Sequence, residues 1–205
     1  SQATSGTVSA ADTIAFTYQH QYWLTMSTNF GSVSPESGWK DAGSTVTISA
    51  TPPDVVAGEQ YVWNGWTGTG DGSYTGDLNP ATDAVTMNGP ISEAASWTHQ
   101  FYLTVASIYY TPGGAGWYDS GATAYATLPG GEVSLGVGAR AIFTGWSGDA
   151  SGTGLTSNPI TMDGPKTATA NWKTQYLVSF EQTGSAVAPT VTYTANTDPT
   201  ETVPF

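Results

Sequence analysis

Four passages of this chain recur in the same order, and that repetition constrains the fold more than any other feature. His20-Gln21-Tyr22-Trp23-Leu24-Thr25-Met26 returns 79 residues later as His99-Gln100-Phe101-Tyr102-Leu103-Thr104-Val105, and 75 residues further on as Gln175-Tyr176-Leu177-Val178-Ser179-Phe180. Gly38-Trp39-Lys40-Asp41-Ala42-Gly43 answers to Gly116-Trp117-Tyr118-Asp119-Ser120-Gly121. Val62-Trp63-Asn64-Gly65-Trp66-Thr67-Gly68 answers to Ile142-Phe143-Thr144-Gly145-Trp146-Ser147-Gly148, and the stretch from Met87 to Trp97 to that from Met162 to Trp172. A fixed period marks where one folding unit stops and the next starts. Two complete copies therefore occupy 22–100 and 101–175, with a closing piece at 1–21 and an opening piece at 176–205.

Within a copy the apolar residues alternate, the period of a half-buried strand. Tyr22, Leu24 and Met26 fall on one face of an opening strand, and Val46, Ile48 and Ala50 on one face of a second. A third is expected through Tyr61, Trp63 and Gly65-Trp66, the glycine sitting where a bulge or a close approach is wanted. Asn79-Pro80, Asn88-Gly89-Pro90, Asn158-Pro159 and Asp163-Gly164-Pro165 supply turns between strands. No amphipathic helical period of useful length occurs. The expected fold is all-β: tandem small antiparallel modules, β-grasp-like or an Ig-like sandwich, with no significant helix.

Charge excludes several function classes. Sixteen carboxylates face only Lys40, Arg140, Lys166 and Lys173, a net charge of −12, and nucleic acid and anionic lipid both need a basic surface. Charged residues make up 10% of the chain against about 25% in an average soluble protein, so Thr, Ser, Gly and Asn supply the polar surface. That profile is expected of an exported β protein. Without cysteine there is no disulfide, thiol catalysis or thiolate metal site. No apolar run approaches the roughly 20 residues of a membrane-spanning helix.

The two end pieces complement each other. Val8, Ile14, Phe16 and Tyr18 occupy closing-strand positions, whereas Tyr176, Val178 and Phe180 begin an opening strand, with Val191-Thr192-Tyr193-Thr194 as a second. These pieces, with Val191 and Tyr193, are the expected assembly interface. Three arrangements satisfy them: a longer array, ends that meet within one chain, or head-to-tail self-association in which one chain's tail completes the next chain's head.

The tyrosine-rich opening strand, the Gly-aromatic turn, Val62-Trp63-Asn64-Gly65-Trp66 or Ile142-Phe143-Thr144-Gly145-Trp146, the Asn-Pro turn and closing Ala170-Asn171-Trp172 together resemble the divergent internalin-type B repeats of bacterial and archaeal cell-surface proteins. The resemblance spans the whole chain, end pieces included. It implies a small β module for display, spacing, adhesion or envelope assembly, without catalysis, and supplies no catalytic residues. The first copy departs from the pattern at Ile91-Ser92-Glu93-Ala94, where the second has Lys166-Thr167.

Three residue sets invite other chemistry. His20 and His99 recur just before an opening strand, one repeat apart, with no recurrent Ser or carboxylate beside them, so a role as linkers at the repeat junction outweighs proton transfer. Asp71, Asp77 and Asp149 lie in Gly-rich loops that could offer oxygens to calcium, the one cofactor considered; their spacing matches no defined calcium loop, and acids decorating a solvated turn is the simpler reading. Eight Trp and eleven Tyr raise a polysaccharide partner beside cell-envelope proteins. Trp39, Trp66, Trp97, Trp117, Trp146 and Trp172 recur as core residues should. Trp23, Tyr109 and Tyr110 are the candidates for an exposed contact.

Overall fold

The alternation read along the opening strand is the alternation the structure buries. In the computed structural model, which describes residues 17–178 and 193–194, Leu24 and Met26 point into a core while Trp23 and Thr25 face out. Burying a side chain of that size contributes about 1.5–3 kcal/mol, enough to fix which face of a strand turns inward. The described residues form fourteen strands: β1 (Gln21–Thr28), β2 (Ser32–Ser34), β3 (Gly38–Asp41), β4 (Thr45–Thr51), β5 (Glu59–Thr69), β6 (Ala81–Thr86), β7 (Ile91–Ala106), β8 (Gly116–Asp119), β9 (Thr123–Ala124), β10 (Glu132–Gly136), β11 (Ala139–Gly148), β12 (Ile160–Thr161), β13 (Lys166–Leu177) and β14 (Tyr193–Thr194). Among the described residues there is no helix. The fold is all-β.

The chain divides into two compact units whose membership does not follow the sequence. The first unit takes the described residues up to 52 together with 63–97; the second takes 53–62 with 98 onward. In the first, β3 pairs antiparallel with β1, β1 pairs with the start of β7, and β5 pairs with β7. A second, three-stranded antiparallel sheet, β2-β4-β6, is joined through Asn79, whose side-chain amide exchanges two hydrogen bonds with the backbone of Ala50 at 2.7 and 2.9 Å. Leu24, Ile48, Trp66, Val85, Met87 and Ile91 form the core of this unit.

The second unit repeats the plan. There β8 pairs antiparallel with the end of β7, that end pairs with β13, β13 pairs antiparallel with β11, and β11 with β10. The short β9-β12 pair forms a second layer. Its core gathers Phe101, Leu103, Leu128, Trp146, Ile160 and Met162, with Trp172, Phe143 and Tyr118 packed against it.

Beside the antiparallel pairs stands one recurrent parallel pairing. Leu24–Thr28 runs parallel to Ile91–Ala95, and Leu103–Ala106 runs parallel to Lys166–Thr169. The opening strand of each copy thus lies parallel beside its closing strand, which antiparallel modules alone would not give. Such a pair needs a long crossover connection, and the 60-odd residues between β1 and β7 provide it.

Glycine marks the expected bulge. The β11–β13 register shifts between Phe143 and Gly145, which brings both Phe143 and Trp146 to the core side. Gly145 and its counterpart Gly65 take φ of 145° and 113°, and a Cβ on Gly65 would stand 2.8 Å from the carbonyl oxygen of Gly76. Only glycine fits that approach.

Candidate functional site

Within the second unit, several specific polar contacts gather around the strand segment from His99 to Tyr102. The closing strand of the first copy does not end before the second begins: β7 runs unbroken from Ile91 to Ala106, and β13 likewise runs from closing Lys166 into the third copy at Leu177. His99 is therefore a residue inside a strand, and the expected role of a linker between modules is corrected. Paired backbone on both sides leaves no connecting segment for it to occupy.

Residues 53–62, which the sequence assigns to the first copy, fold as an arm of the second unit. The carbonyl of Gly58 accepts the N–H of Tyr102 at 2.9 Å. Gln60 donates through Nε2 to Gln100 Oε1 at 2.7 Å, and Gln100 in turn donates to Asp119 Oδ1 at 2.8 Å. Glu59 Oε1 lies 2.7 Å from His99 Nε2, both side chains 17% exposed. The ring of Tyr61 stacks on His99 with centroids 4.4 Å apart and planes 11° from parallel, while Phe101 packs on His99 at 4.4 Å. Burial first, then the charge and hydrogen bond of Glu59, raise the Tyr61 hydroxyl above its ordinary value, so it stays protonated.

The same arm recurs one copy later. Gly138 O accepts the N–H of Leu177 at 2.8 Å, and Arg140 Nε donates to Gln175 Oε1 at 2.9 Å. Arg140 also meets Glu132 at 3.1 Å. Ala139, Ala141 and Thr174 stand where Glu59, Tyr61 and His99 stand, so the backbone contact and the amide contact repeat and the aromatic-histidine packing does not. Sequence reading missed Glu59, Gln60 and Arg140 because they lie about 35 to 40 residues from their partners. The matched position of Gln60 and Arg140, each two places beyond a glycine, was the available signal.

β14 completes the pattern. Tyr176 pairs with Thr194 and Leu177 with Tyr193, the register in which Tyr22 pairs with Lys40 and Trp23 with Trp39, and Phe101 with Tyr118 and Tyr102 with Trp117. The expected second strand of the third copy is thus present at 193–194. Of the expected assembly residues, Tyr18 is 90% exposed, Tyr176 is exposed and Val178 half-buried. Val8, Ile14, Phe16, Phe180 and Val191 lie outside the described residues.

The six recurrent tryptophans divide. Trp66, Trp97 and Trp146 are buried and Trp172 is packed against its core. Trp39 and Trp117, expected there as well, are corrected: they face out, 63% and 41% exposed. Each is the outward residue of a four-residue strand and packs edge-on against its cross-strand neighbour, Trp23 at 5.4 Å and Tyr102 at 5.2 Å. Recurrence here preserves a cross-strand pair rather than burial. Trp39 borders an open groove of about 470 Å³ with Pro35, Lys40, Asp41 and Val46. Trp23 and Tyr110 are exposed as expected, whereas Tyr109 is half-buried against Trp172.

The loop acids do not converge. Asp149 accepts the N–H of Thr167 at 2.7 Å and faces Lys166 at 3.8 Å, and Lys166 bonds Asp163 at 2.7 Å. That hydrogen bond holds the Asp163 carboxyl below its usual range and raises Lys166. Asp77 contributes its backbone carbonyl to Trp63 Nε1 at 2.8 Å, and Asp71 is exposed. Among the described residues no group of three or more His, Cys, Asp or Glu is placed to hold a metal ion, nor is any helix long and apolar enough to cross a membrane.

A strand shared by successive copies, an arm lent forward and a reused cross-strand register define a tandem β-repeat protein. The sequence profile of the divergent InlB B-repeat domain matches residues 22–101 and 107–176, and the chain belongs to that family. No curated protein and no solved structure matches it.

Proposed function

We propose that the chain is a non-catalytic structural segment of a larger cell-surface protein, in which B-repeat copies form a spacer that carries other parts of the protein away from the cell. The observation that supports this reading is the shared strand: β7 and β13 each close one copy and open the next. Each of these strands continues from one copy into the next without a break. The family itself is one of cell-surface repeats. Antibody labelling of intact cells, followed by stretching of the purified chain in a single-molecule force experiment, tests the reading. Surface label and stepwise unfolding, one step per copy, are expected; label confined to lysed cells would overturn it.

A second reading, head-to-tail assembly into a filament or surface layer, is favoured by the recurrent parallel pair. An incoming closing strand would lie beside the third copy's opening strand as Ile91–Ala95 lies beside Leu24–Thr28. Native mass spectrometry decides: a ladder of oligomers supports it, and a monomer at micromolar concentration sinks it while leaving the spacer reading intact.

A further inference from the structure

The opening strands of the three copies present equivalent trios: His20, Gln21 and Trp23; His99, Gln100 and Tyr102; Thr174, Gln175 and Leu177. In the second and third copies all three residues are at least half-buried, and in the first all three are exposed, Trp23 at 40%. The arm accounts for the difference. At Tyr102 and Leu177 the strand's N–H is taken by a glycine carbonyl, Gly58 or Gly138, and the glutamine one place earlier but one receives a side-chain donor, Gln60 or Arg140.

The first copy is set up in the same way. Trp23 pairs with Trp39 in the register in which Tyr102 pairs with Trp117, so its N–H points away from β3 as that of Tyr102 points away from β8, toward the arm. Gln21 Nε2 donates to Asp41 at 2.8 Å as Gln100 Nε2 donates to Asp119 at 2.8 Å, which turns its amide oxygen to that same side. Among the described residues no carbonyl meets the Trp23 N–H and no donor meets Gln21 Oε1. A strand edge with unmet backbone groups is a template for pairing.

We infer that the Gln21–Trp23 edge is a docking site for the arm of another copy of this repeat. The arm it fits has a glycine with φ near +80°, as Gly58 (83°) and Gly138 (75°) have, whose carbonyl reaches the Trp23 N–H. Two residues later it carries a side-chain N–H donor, Gln or Arg, for Gln21. Two filled examples in the same molecule identify the occupant: each arm is lent by one copy to the next along the chain, so the Gln21–Trp23 edge takes the arm of a copy placed before it in an array.

The inference rests on the array reading, and amide hydrogen exchange followed by NMR tests it separately. In the chain as it stands, the Trp23 amide should exchange about tenfold or more faster than those of Tyr102 and Leu177. Inserting a further copy of residues 22–100 between Gln21 and Tyr22 should slow exchange at the Trp23 that now follows an arm by a similar factor. Gly58→Ala in the inserted copy alone should restore fast exchange. Protection that grows with protein concentration in the uninserted chain would overturn supply by a preceding copy, because a second molecule would then be filling the edge. Protection of Trp23 in the dilute, uninserted chain equal to that of Tyr102 would overturn it. So would fast exchange in the extended chain while Tyr102 and Leu177 remain protected. Either failure would leave surface location and the shared strands untouched.

Discussion

Glu93 Oε1 accepts the N–H of Tyr74 at 2.7 Å while Oε2, in a side chain 1% exposed, meets no donor among the described residues. Gly68, directly alongside, leaves the room: a Cβ there would stand 2.7 and 2.8 Å from the two carboxylate oxygens. The second copy places Ala168 at the equivalent position.

Burial raises the Glu93 carboxyl above its ordinary value, only partly opposed by the Tyr74 N–H. An acid raised on folding holds its proton more tightly in the folded state, so its contribution is full below the ordinary carboxylate range and is lost as pH rises through the raised folded value. Glu93→Gln keeps an acceptor for Tyr74 and carries no charge. Urea titrations at a series of pH values should show the native chain losing stability across that window and the variant not. At neutral pH the variant should be the more stable of the two, since it places no charge in the buried site.

The two arm glycines should differ in tolerance. Gly58→Ala and Gly138→Ala both force a left-handed φ on a residue with a Cβ, costing about 1–2 kcal/mol. A Cβ at Gly58 also meets Pro165 Cβ at 2.9 Å, whereas at Gly138 the nearest atom is Leu177 Cβ at 3.9 Å. Thermal melts should rank Gly58→Ala clearly below Gly138→Ala; the reverse order would contradict the arm geometry.

Equivalent tryptophans should respond unequally to loss of the indole N–H. Trp146 Nε1 donates to Gly154 O at 3.0 Å, but Trp66 Nε1 is buried with no partner among the described residues. Trp146→Phe should therefore cost about 1 kcal/mol more than Trp66→Phe, since only the former breaks a hydrogen bond. Chemical denaturation of the two variants measures the difference.

Trp39→Ala removes an outward ring and half of a cross-strand pair, which is worth about 0.2–1 kcal/mol. Trp66→Ala empties a buried site and should cost about 3–5 kcal/mol. Comparable losses from the two would mean that Trp39 is buried in solution.

Much of this was legible in the residues themselves. Leu24, Met26, Ile48 and Ala50 are buried as their alternation required, and the glycine before Trp146 sits at a register shift. Repetition misled at Trp39 and Trp117, because a residue that recurs to hold a cross-strand neighbour looks, in one dimension, the same as a residue that recurs to fill a core. Glu93 was visible as a departure from the second copy, yet nothing in the chain near it says that residue 93 faces inward against Gly68.

By itself the sequence determined that the chain is all β and that its strand and turn blocks recur in a fixed order, since these follow from local period and turn chemistry. Which copy a segment serves was decided only in three dimensions. Residues 53–62 read as the middle of the first copy and fold with the second, because strand pairing is set by hydrogen bonds across space. Gly58 finds its acceptor's partner at Tyr102, 44 residues away, and no local pattern encodes that choice.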